Sequence, residues 1–383
     1  MKGKNMDSVL YTLSEHIHGQ NYVIASYYIK LPKEVDVIKK ASTLAVGQTI
    51  GTWIPIPGIT DEIREKYMGK VVNIFDIPAL DLATQIEEEE RKYIIQIAYP
   101  AVNFGNDFPL LITSLLGNDA STSAQVKLLD IEFPEEFTKK FAGPQFGIDG
   151  VLEYTKVKGR PFLLNMVKPC TGLTPEEGAK IFYQTALGGV DFIKDDELLG
   201  NPSYSHPADR VKAFRKAAKA AYEESGNNVK YFVNVTSGTA EIMDNVKAVE
   251  DAGADGIMIN FAAVGYSVLK QVAEETNLPI LGHAAGSGMV YEGTLNGMSS
   301  PLAVGKLARL AGADIVMVNT PYGGYPLSYQ KYMQTIEQLI LPFYHLKASM
   351  PSIGGGVHPG MVEKYIREVG CDIVLAAGGA VQG

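Results

Sequence analysis

The C-terminal part of the chain repeats a short apolar run followed by an amphipathic segment. Eight such runs follow Pro161, at 162–167, 190–193, 231–236, 256–261, 279–282, 314–319, 351–355 and 372–377. Each run is continuous in apolar residues, which is typical of parallel strands buried on both faces. Segments between them, such as 174–189, begin with a capping threonine and early acids and end in glycine, as helices do. Eight strand–helix units predict a TIM barrel, and a doubly wound open sheet is the less favoured alternative.

Residues 1–145 follow a different pattern. Strand candidates at 22–31, 70–77, 93–100 and 124–134 mix with helices at about 35–46 and 107–116. This mixture predicts a small α+β domain of the ferredoxin-like type over 1–145, followed by the barrel over 146–383. The sequence ends directly after the eighth predicted strand, with no segment for an eighth helix. We therefore expect further residues at the C-terminus.

Composition and charge exclude several classes of protein. The formal net charge of -9 argues against nucleic-acid binding, because backbone phosphates need a basic surface. No apolar stretch reaches the ~18 residues that a membrane span needs, and the N-terminus lacks the apolar core of a signal peptide. The two cysteines, Cys170 and Cys371, lie far apart in the sequence and fit a reducing compartment. We expect a cytoplasmic protein with neither a nucleic-acid nor a membrane partner.

The segment "GGVDFIKDDE" (188–197) runs from the second predicted strand into one lysine and three acids. Alternate residues of an extended strand share a face, so Lys194 and Asp196 are expected to point together into the barrel mouth, with Glu197 joining at the turn. Two carboxylates can supply oxygen ligands to Mg²⁺. The lysine has three interpretations: a cation that neutralises the acids, a Schiff-base nucleophile, or a lysine that CO₂ converts into an anionic carbamate ligand.

Polar side chains and glycine-rich loops follow the other predicted strands. The polar residues, in chain order, are Lys168, Asn234, Asn260 and His283. The glycine-rich segments "GGGVHPG" (354–360) and "AAGGA" (376–380) follow strands seven and eight. Barrels often bind phosphate there, through backbone N–H groups that point at the anion. The sequence therefore predicts a charged cluster and a phosphate site at the same end of the barrel.

Several segments resemble those of the RuBisCO large-chain superfamily, in the family's order. Besides "GGVDFIKDDE", they are "GTW" (51–53), "IAYP" (97–100), "TSLLGN" (113–118), "FAGPQFGIDG" (141–150), "GRPFLLNMVKP" (159–169), "GH" (282–283), "GGGVHPG" and "LAAGG" (375–379). The resemblance implies that Lys194 is carbamylated and binds Mg²⁺ together with Asp196 and Glu197. It also implies an N-terminal α+β domain, a C-terminal barrel, and a homodimer whose active sites are shared between subunits.

The same resemblance assigns roles to further residues. Lys168 matches the lysine that handles protons at the enolising carbon, and His283 matches a histidine that contacts substrate. Asn118 matches an asparagine that reaches the active site of the neighbouring subunit. Thr52 and Trp53 match a phosphate-contact segment of the N-terminal domain. The glycines that match the loops holding one phosphate are Gly355, Gly356, Gly378 and Gly379.

Departures from the carboxylase pattern are equally informative. Cys170 replaces a second lysine, Ala284 replaces the arginine that clamps the second phosphate, and the strand-six loop "NTPYGGYPLSY" (319–329) contains no lysine. Gly354 replaces a serine and Gly47 a glutamate. Loss of the arginine and the loop lysine removes charge-assisted contacts to developing negative charge. The chain therefore resembles the non-carboxylating branch, the RuBisCO-like proteins of form IV, and carboxylation of ribulose bisphosphate is disfavoured.

The reaction that this branch implies is Mg²⁺-dependent enolisation or tautomerisation of a monophosphorylated ketose or diketone. One such relative is the methionine-salvage enolase, which acts on 2,3-diketo-5-methylthiopentyl 1-phosphate. Its general base is a lysine directly before "IAYP", where this chain has Gln96, and glutamine cannot act as a base. Isomerisation of methylthioribulose phosphate stays open, as does decarboxylation or hydrolysis of a branched sugar-acid phosphate of the 3-oxo-isoapionate phosphate type. A non-catalytic sugar-phosphate sensor is the remaining alternative.

Overall fold

The computed structural model describes residues 9–52, 54, 56–86 and 88–382. The chain forms two compact units, Met1–Lys140 with Gly288–Ala303 and Phe141–Ser287 with Val304–Gly383. The boundary after Lys140 lies close to the predicted one at 145/146. The grouping of 288–303 with the first unit has no counterpart in the sequence pattern.

The strands form two separate sheets. In chain order they are β1 (Tyr22–Pro32), β2 (Lys70–Ile77), β3 (Glu90–Pro100), β4 (Lys127–Glu132), β5 (Phe162–Met166), β6 (Phe192–Lys194), β7 (Lys230–Asn234), β8 (Gly256–Asn260), β9 (Ile280–His283), β10 (Ile315–Asn319), β11 (Met350–Gly354) and β12 (Val374–Ala376).

The α-helices fall mainly between these strands. In chain order they are α1 (Ser14–Ile17), α2 (Val37–Gly47), α3 (Asp61–Tyr67), α4 (Phe108–Leu116), α5 (Glu135–Thr138), α6 (Gly147–Thr155), α7 (Pro175–Leu187), α8 (Pro207–Ser225), α9 (Ile242–Asp251), α10 (Phe261–Val264), α11 (Tyr266–Glu275), α12 (Gly288–Tyr291), α13 (Leu307–Leu310), α14 (Tyr329–Ile340), α15 (Val362–Val369) and α16 (Gly379–Gln382). Short 3₁₀ or π turns lie at Ala83–Gln85, Ala101–Asn103, Asp119–Ala124, Pro301–Lys306 and Pro359–Met361. None of the described helices is long and apolar enough to cross a membrane.

The first unit contains an antiparallel sheet in the order β2-β3-β1-β4. Along β1, buried and partly buried residues largely alternate, as expected for a strand with one face on a core. Helix α2 is capped by Asp36, whose side chain accepts hydrogen bonds from the N–H groups of Ile38 and Lys39. The predicted α+β domain is confirmed.

The second unit is a closed barrel of eight parallel strands, β5 to β12, in which β12 pairs with β5. The predicted barrel is therefore confirmed. Its interior is filled by large apolar side chains from successive strands, including Phe162, Phe192, Phe232, Met258 and Leu281. Helix α7 begins with the predicted threonine, since Thr174 and Glu177 form reciprocal side-chain-to-backbone hydrogen bonds.

Candidate active site

Five strands of the barrel end in an inward-facing polar side chain. On each strand, this residue lies two positions after a side chain of the apolar interior, so both point to the same side. The pairs are Phe192 and Lys194, Phe232 and Asn234, Met258 and Asn260, Leu281 and His283, and Met317 and Asn319. These five strands thus bring one lysine, three asparagines and one histidine to the barrel mouth.

The Lys194 side chain is 0% exposed. Its Nζ donates to the carbonyl of Asp195 at 2.9 Å and lies 3.5 Å from Oε2 of Glu197. Burial lowers the pKa of Lys194, although the neighbouring carboxylates oppose that shift. A buried lysine with a lowered pKa supplies the neutral amine that can react with CO₂ or with a carbonyl group.

Asp196 and Lys168 form a close ion pair, with Nζ of Lys168 2.6 Å from Oδ2 of Asp196. The same ammonium group lies 2.9 Å from the sulfur of Cys170. Although burial opposes ionisation, hydrogen bonds from Lys168, Cys170 and Leu198 lower the pKa of Asp196. Burial likewise opposes the charge on Lys168, but its hydrogen bonds to Asp196 and Cys170 raise its pKa. Asp196 is therefore a carboxylate and Lys168 an ammonium group in this arrangement.

Glu197 approaches His283 as well as Lys194. Nε2 of His283 is 3.6 Å from Oε2 of Glu197. Burial, together with the charge of Lys194, holds the pKa of His283 well below its usual range. Nδ1 of His283 accepts a hydrogen bond from the N–H of Ala285 at 3.1 Å, so the neutral imidazole carries its proton on Nε2.

Asp195 lies between Lys194 and Asp196 in the sequence, but its side chain belongs to a separate, buried polar network. Its carboxylate accepts hydrogen bonds from Tyr231 Oη at 2.6 Å, Arg210 Nε at 3.1 Å and the N–H of Asn234 at 2.9 Å. Arg210 also donates to the carbonyls of Ser205, Leu199, Gly200 and Asn234. This network fixes the chain on both sides of Asp195. No sequence pattern pointed to Arg210, which lies on the amphipathic helix α8.

Two asparagines of the mouth, Asn234 and Asn260, hold the backbone of the acidic turn. Nδ2 of Asn234 donates to the carbonyls of Asp196 and Glu197 at 3.2 and 3.3 Å. Nδ2 of Asn260 donates to the carbonyl of Glu197 at 2.8 Å. Together they determine the path of the backbone from which the two candidate ligand carboxylates project.

The predicted phosphate loops lie after β11 and β12. Gly355 and Gly356 have φ angles of +90° and +78°, which favour glycine. A Cβ at Gly323, in the strand-six loop, would lie 2.0 Å from the Gly355 carbonyl, so these two loops touch backbone to backbone. Among the described residues, no acceptor takes the N–H groups of Gly355, Gly356, Gly378 or Gly379. Such N–H groups can bind an anion.

The predicted site residues of the first unit are described within that unit alone. The hydroxyl of Thr52 accepts a hydrogen bond from the N–H of Ile54 at 3.0 Å, and Asn118 is exposed directly before the turn Asp119–Ala124. Trp53 lies outside the described residues. The contribution of these residues to a neighbouring subunit's active site stays a prediction.

Two positions of the first unit depart from relatives, Gly47 from the carboxylase pattern and Gln96 from the methionine-salvage enolase. A Cβ at Gly47 would lie 1.8 Å from Oδ2 of Asp119, so a glutamate there would require the Asp119 side chain to move. Gln96 lies between register partners Asn73 and Ser26 on adjacent strands. Its Oε1 accepts from Asn73 Nδ2 at 2.9 Å and its Nε2 donates to Ser26 Oγ at 3.1 Å. The Gln96 amide is thus engaged at both ends.

The donor set can be tested against Mg²⁺ by its chemistry. Among the described residues, no group of three or more His, Cys, Asp or Glu side chains could hold a metal ion. Asp196 and Glu197 supply two carboxylates beside a buried amine, and Mg²⁺ prefers oxygen donors. An oxygen-only set with three protein ligands therefore requires an oxygen donor at Lys194, which a carbamate would provide. With that modification the residues fit the ion.

Family comparison agrees with this geometry. Residues 11–137 match the ribulose bisphosphate carboxylase large chain, N-terminal domain, and residues 147–383 match its catalytic domain. The chain belongs to the RuBisCO large-chain family. It is 42% identical over 371 residues to a ribulose bisphosphate carboxylase-like protein of Archaeoglobus fulgidus, covering 96% of this chain and 85% of that protein.

Two further members of the family show where the similarity extends. The 2,3-diketo-5-methylthiopentyl-1-phosphate enolase of Geobacillus kaustophilus is 35% identical over 94% of this chain and 87% of its own length. The crystal structure of a RuBisCO-like protein from Alicyclobacillus acidocaldarius superposes with a TM-score of 0.85 at 31% identity, covering 94% of this chain and 88% of that one. The predicted membership of the RuBisCO-like group is confirmed.

Proposed function

We propose that this protein catalyses Mg²⁺-dependent enolisation of a monophosphorylated ketose or diketone. The observation that carries the proposal is the wholly buried Lys194 beside Asp196 and Glu197, at the barrel end where the glycine loops have N–H groups without an acceptor among the described residues. The enolase named among the relatives acts on a substrate of this class, as its name states. Carboxylation of ribulose bisphosphate is not favoured, because no second-phosphate arginine or loop lysine is present at the matching positions.

The metal would be held by Asp196, Glu197 and the carbamate of Lys194. When bound, Mg²⁺ supplies a Lewis acid that acidifies the C–H bond next to a substrate carbonyl. The N–H groups of Gly355, Gly356, Gly378 and Gly379 would bind the single phosphate and orient the substrate.

Two side chains of the mouth carry protons at defined atoms. Nε2 of His283 carries the proton of a neutral imidazole and can donate it in a hydrogen bond to a substrate oxygen. Nζ of Lys168 holds its proton while it is paired with Asp196, since that hydrogen bond raises its pKa. Lys168 can therefore act as a base only after it leaves Asp196. Once free of that partner it is the candidate for proton transfer at the enolising carbon.

We further propose a homodimer in which Thr52, Trp53 and Asn118 of one subunit complete the site of the other. Mixing two inactive variants tests this arrangement. Asn118→Ala and Lys194→Ala chains, refolded together, should regain up to about a quarter of wild-type activity, because a mixed dimer then has one intact site. No recovery in a dimer shown to have exchanged subunits would contradict site sharing.

The decisive test of the proposed reaction is hydrogen exchange in D₂O. Monophosphorylated ketoses, diketones and keto acids are incubated with the protein, and loss of the C–H signal is followed by NMR. Exchange should require both Mg²⁺ and bicarbonate and should stop with EDTA. Borohydride trapping of a substrate adduct without Mg²⁺ would instead support a Schiff base at Lys194. If no compound exchanges or turns over, a sugar-phosphate sensor becomes the better explanation.

Gln96 favours a second candidate, isomerisation of methylthioribulose phosphate or decarboxylation of a branched sugar-acid phosphate. With both ends of its amide engaged by Asn73 and Ser26, this position offers no base where the methionine-salvage enolase has a lysine. Product analysis separates the candidates. An enolase converts the diketone phosphate to its enol. An isomerase yields a ketose phosphate whose carbonyl group is at a different carbon, and a decarboxylase releases CO₂.

A further inference from the structure

The side chain of Asn260 carries a buried acceptor that nothing in the described protein uses. Asn260 is 7% exposed, and its Oδ1 has no hydrogen-bond partner among the described residues. The orientation of the amide is determined by chemistry: the Glu197 carbonyl can only accept, so the nitrogen must face it at 2.8 Å and the oxygen must face elsewhere. A buried acceptor without a donor is costly and rarely kept without a reason.

Asn260 lies where a ligand of the barrel mouth would be. It ends β8 two positions after Met258 of the apolar interior, and its register partner on β9 is His283. Register partners on parallel strands point to the same side of a sheet, so Asn260 and His283 face the mouth together. Its amide also contacts the backbone of Glu197, a proposed ligand of the cation.

Asn234 on the neighbouring strand provides the contrast. It occupies the same kind of position, two residues after Phe232, and its Nδ2 also binds the acidic turn. Its Oδ1, however, accepts a hydrogen bond from the N–H of Thr236 at 3.0 Å. Both asparagines hold the turn, but among the described residues the side-chain oxygen has a donor in Asn234 and none in Asn260.

We propose that Oδ1 of Asn260 is a binding group for an O–H donor in the barrel mouth. The donor is either a hydroxyl of the phosphorylated substrate or a water molecule in the hydration shell of the cation. This inference rests on the proposed function. It assigns Asn260 a role in binding beyond its contact with Glu197.

The inference predicts opposite effects on stability and on binding. Asn260→Leu, which is nearly isosteric, removes the unpaired oxygen, while the Glu197 carbonyl keeps a donor from Asn234. The urea midpoint of the ligand-free variant should therefore equal or exceed that of the wild type. Asn260→Ala is measured alongside. Its side chain is smaller than that of asparagine, so the variant still tests the inference if leucine does not fit the space of Asn260. The exposed Asn228→Leu is the matched control.

Binding is measured with Mn²⁺ and bicarbonate by electron paramagnetic resonance, with and without dihydroxyacetone phosphate. If the donor is a hydration water, both Asn260 variants should bind Mn²⁺ roughly 3- to 10-fold more weakly without any sugar phosphate. If the donor is the substrate hydroxyl, Mn²⁺ affinity stays at the wild-type value and the affinity for dihydroxyacetone phosphate falls by the same factor.

Unchanged affinity for both probes, in variants that fold, would overturn the inference and leave the proposed function standing. A lowered urea midpoint with unchanged binding would likewise show that Asn260 only supports the turn. If the wild type itself binds no Mn²⁺ in the presence of bicarbonate, the proposed function fails first and this inference fails with it.

Discussion

At the N-terminal ends of the barrel strands, three aspartates hold neighbouring strands together. Asp191, Asp255 and Asp314 directly precede β6, β8 and β10, and each accepts the N–H of a residue on the preceding strand. Asp191 also binds Arg160 through two 2.7 Å contacts, Asp255 binds Lys230 at 3.2 Å, and Asp314 accepts two N–H groups at the start of α6. These carboxylates are well supplied with donors.

The C-terminal ends of the same strands show the reverse. Burial disfavours the charged form of Lys194, and within the described part of the chain neither Oδ1 of Asn260 nor the N–H groups of the glycine loops have a hydrogen-bond partner. At the N-terminal end of the barrel strands the polar groups bind other groups of the protein, whereas at the C-terminal end several of them are available to a ligand. Substitutions at the two ends should affect different measurements.

The largest expected effect is that of Lys194→Met on activity. Removing the only candidate for the third oxygen ligand should lower the exchange rate by at least about 10²-fold. Stability without Mg²⁺ and bicarbonate should equal or exceed that of the wild type, because a buried amine is replaced by a thioether of similar size. Chemical denaturation and D₂O exchange measure the two quantities.

Lys230→Met is the matched control at the other end of the barrel. It removes the ion pair with Asp255 and a contact over the Tyr154 ring. We expect a loss of about 1 kcal/mol in the free energy of unfolding and an unchanged exchange rate. If Lys194→Met destabilised the protein more than Lys230→Met, the contrast between the two ends would be wrong.

Asp191→Asn should cost about 2 kcal/mol in stability, since an amide can keep the N–H of Leu163 but then presents a donor to Arg160. The exchange rate of the folded protein should not change. The exposed Asp372, two residues before β12, provides the comparison, and Asp372→Asn should change the unfolding free energy by less than about 0.5 kcal/mol. Equal losses in the two variants would show that Asp191 does not hold the strands.

Gly323→Ala should raise the KM of a phosphorylated substrate about 10-fold, a change of about 1.4 kcal/mol. The added Cβ would lie 2.0 Å from the Gly355 carbonyl and displace a proposed phosphate loop. Gly324→Ala meets no atom within 4 Å and should leave KM unchanged. KM is measured for both variants by steady-state kinetics, with the substrate identified in the D₂O exchange experiment. An equal KM in both variants would argue against phosphate binding at this loop.

The smallest expected effect is that of Tyr231→Phe. The variant loses one hydrogen bond to Asp195, which keeps its donors from Arg210 and Asn234. We expect a loss of about 1 kcal/mol in stability and less than about a threefold change in the exchange rate. A much larger fall in exchange would mean that the Asp195 network positions the acidic turn more strictly than its remaining contacts suggest.

Much of the fold and part of the candidate site could be predicted from the sequence. The continuous apolar runs predicted all eight barrel strands, and the two-residue period predicted Lys194 and Asp196 on one face. The pairing of Lys168 with Asp196 could not be predicted, because it depends on how two neighbouring strands end. The roles of Arg210 and Gln96 were also hidden. Both depend on partners from other elements, and no local pattern distinguishes a buried arginine on an amphipathic helix.

The contact between Gly323 and Gly355 constrains how this scaffold could be given a new reaction. Grafting a lysine-bearing strand-six loop from a carboxylase is the obvious route to a different chemistry. Such a graft must keep a residue without a side chain at position 323, or the strand-seven loop must be exchanged with it. The strand-six and strand-seven loops therefore have to be redesigned together. In libraries that vary only one of them, most side chains at position 323 would clash with the Gly355 carbonyl.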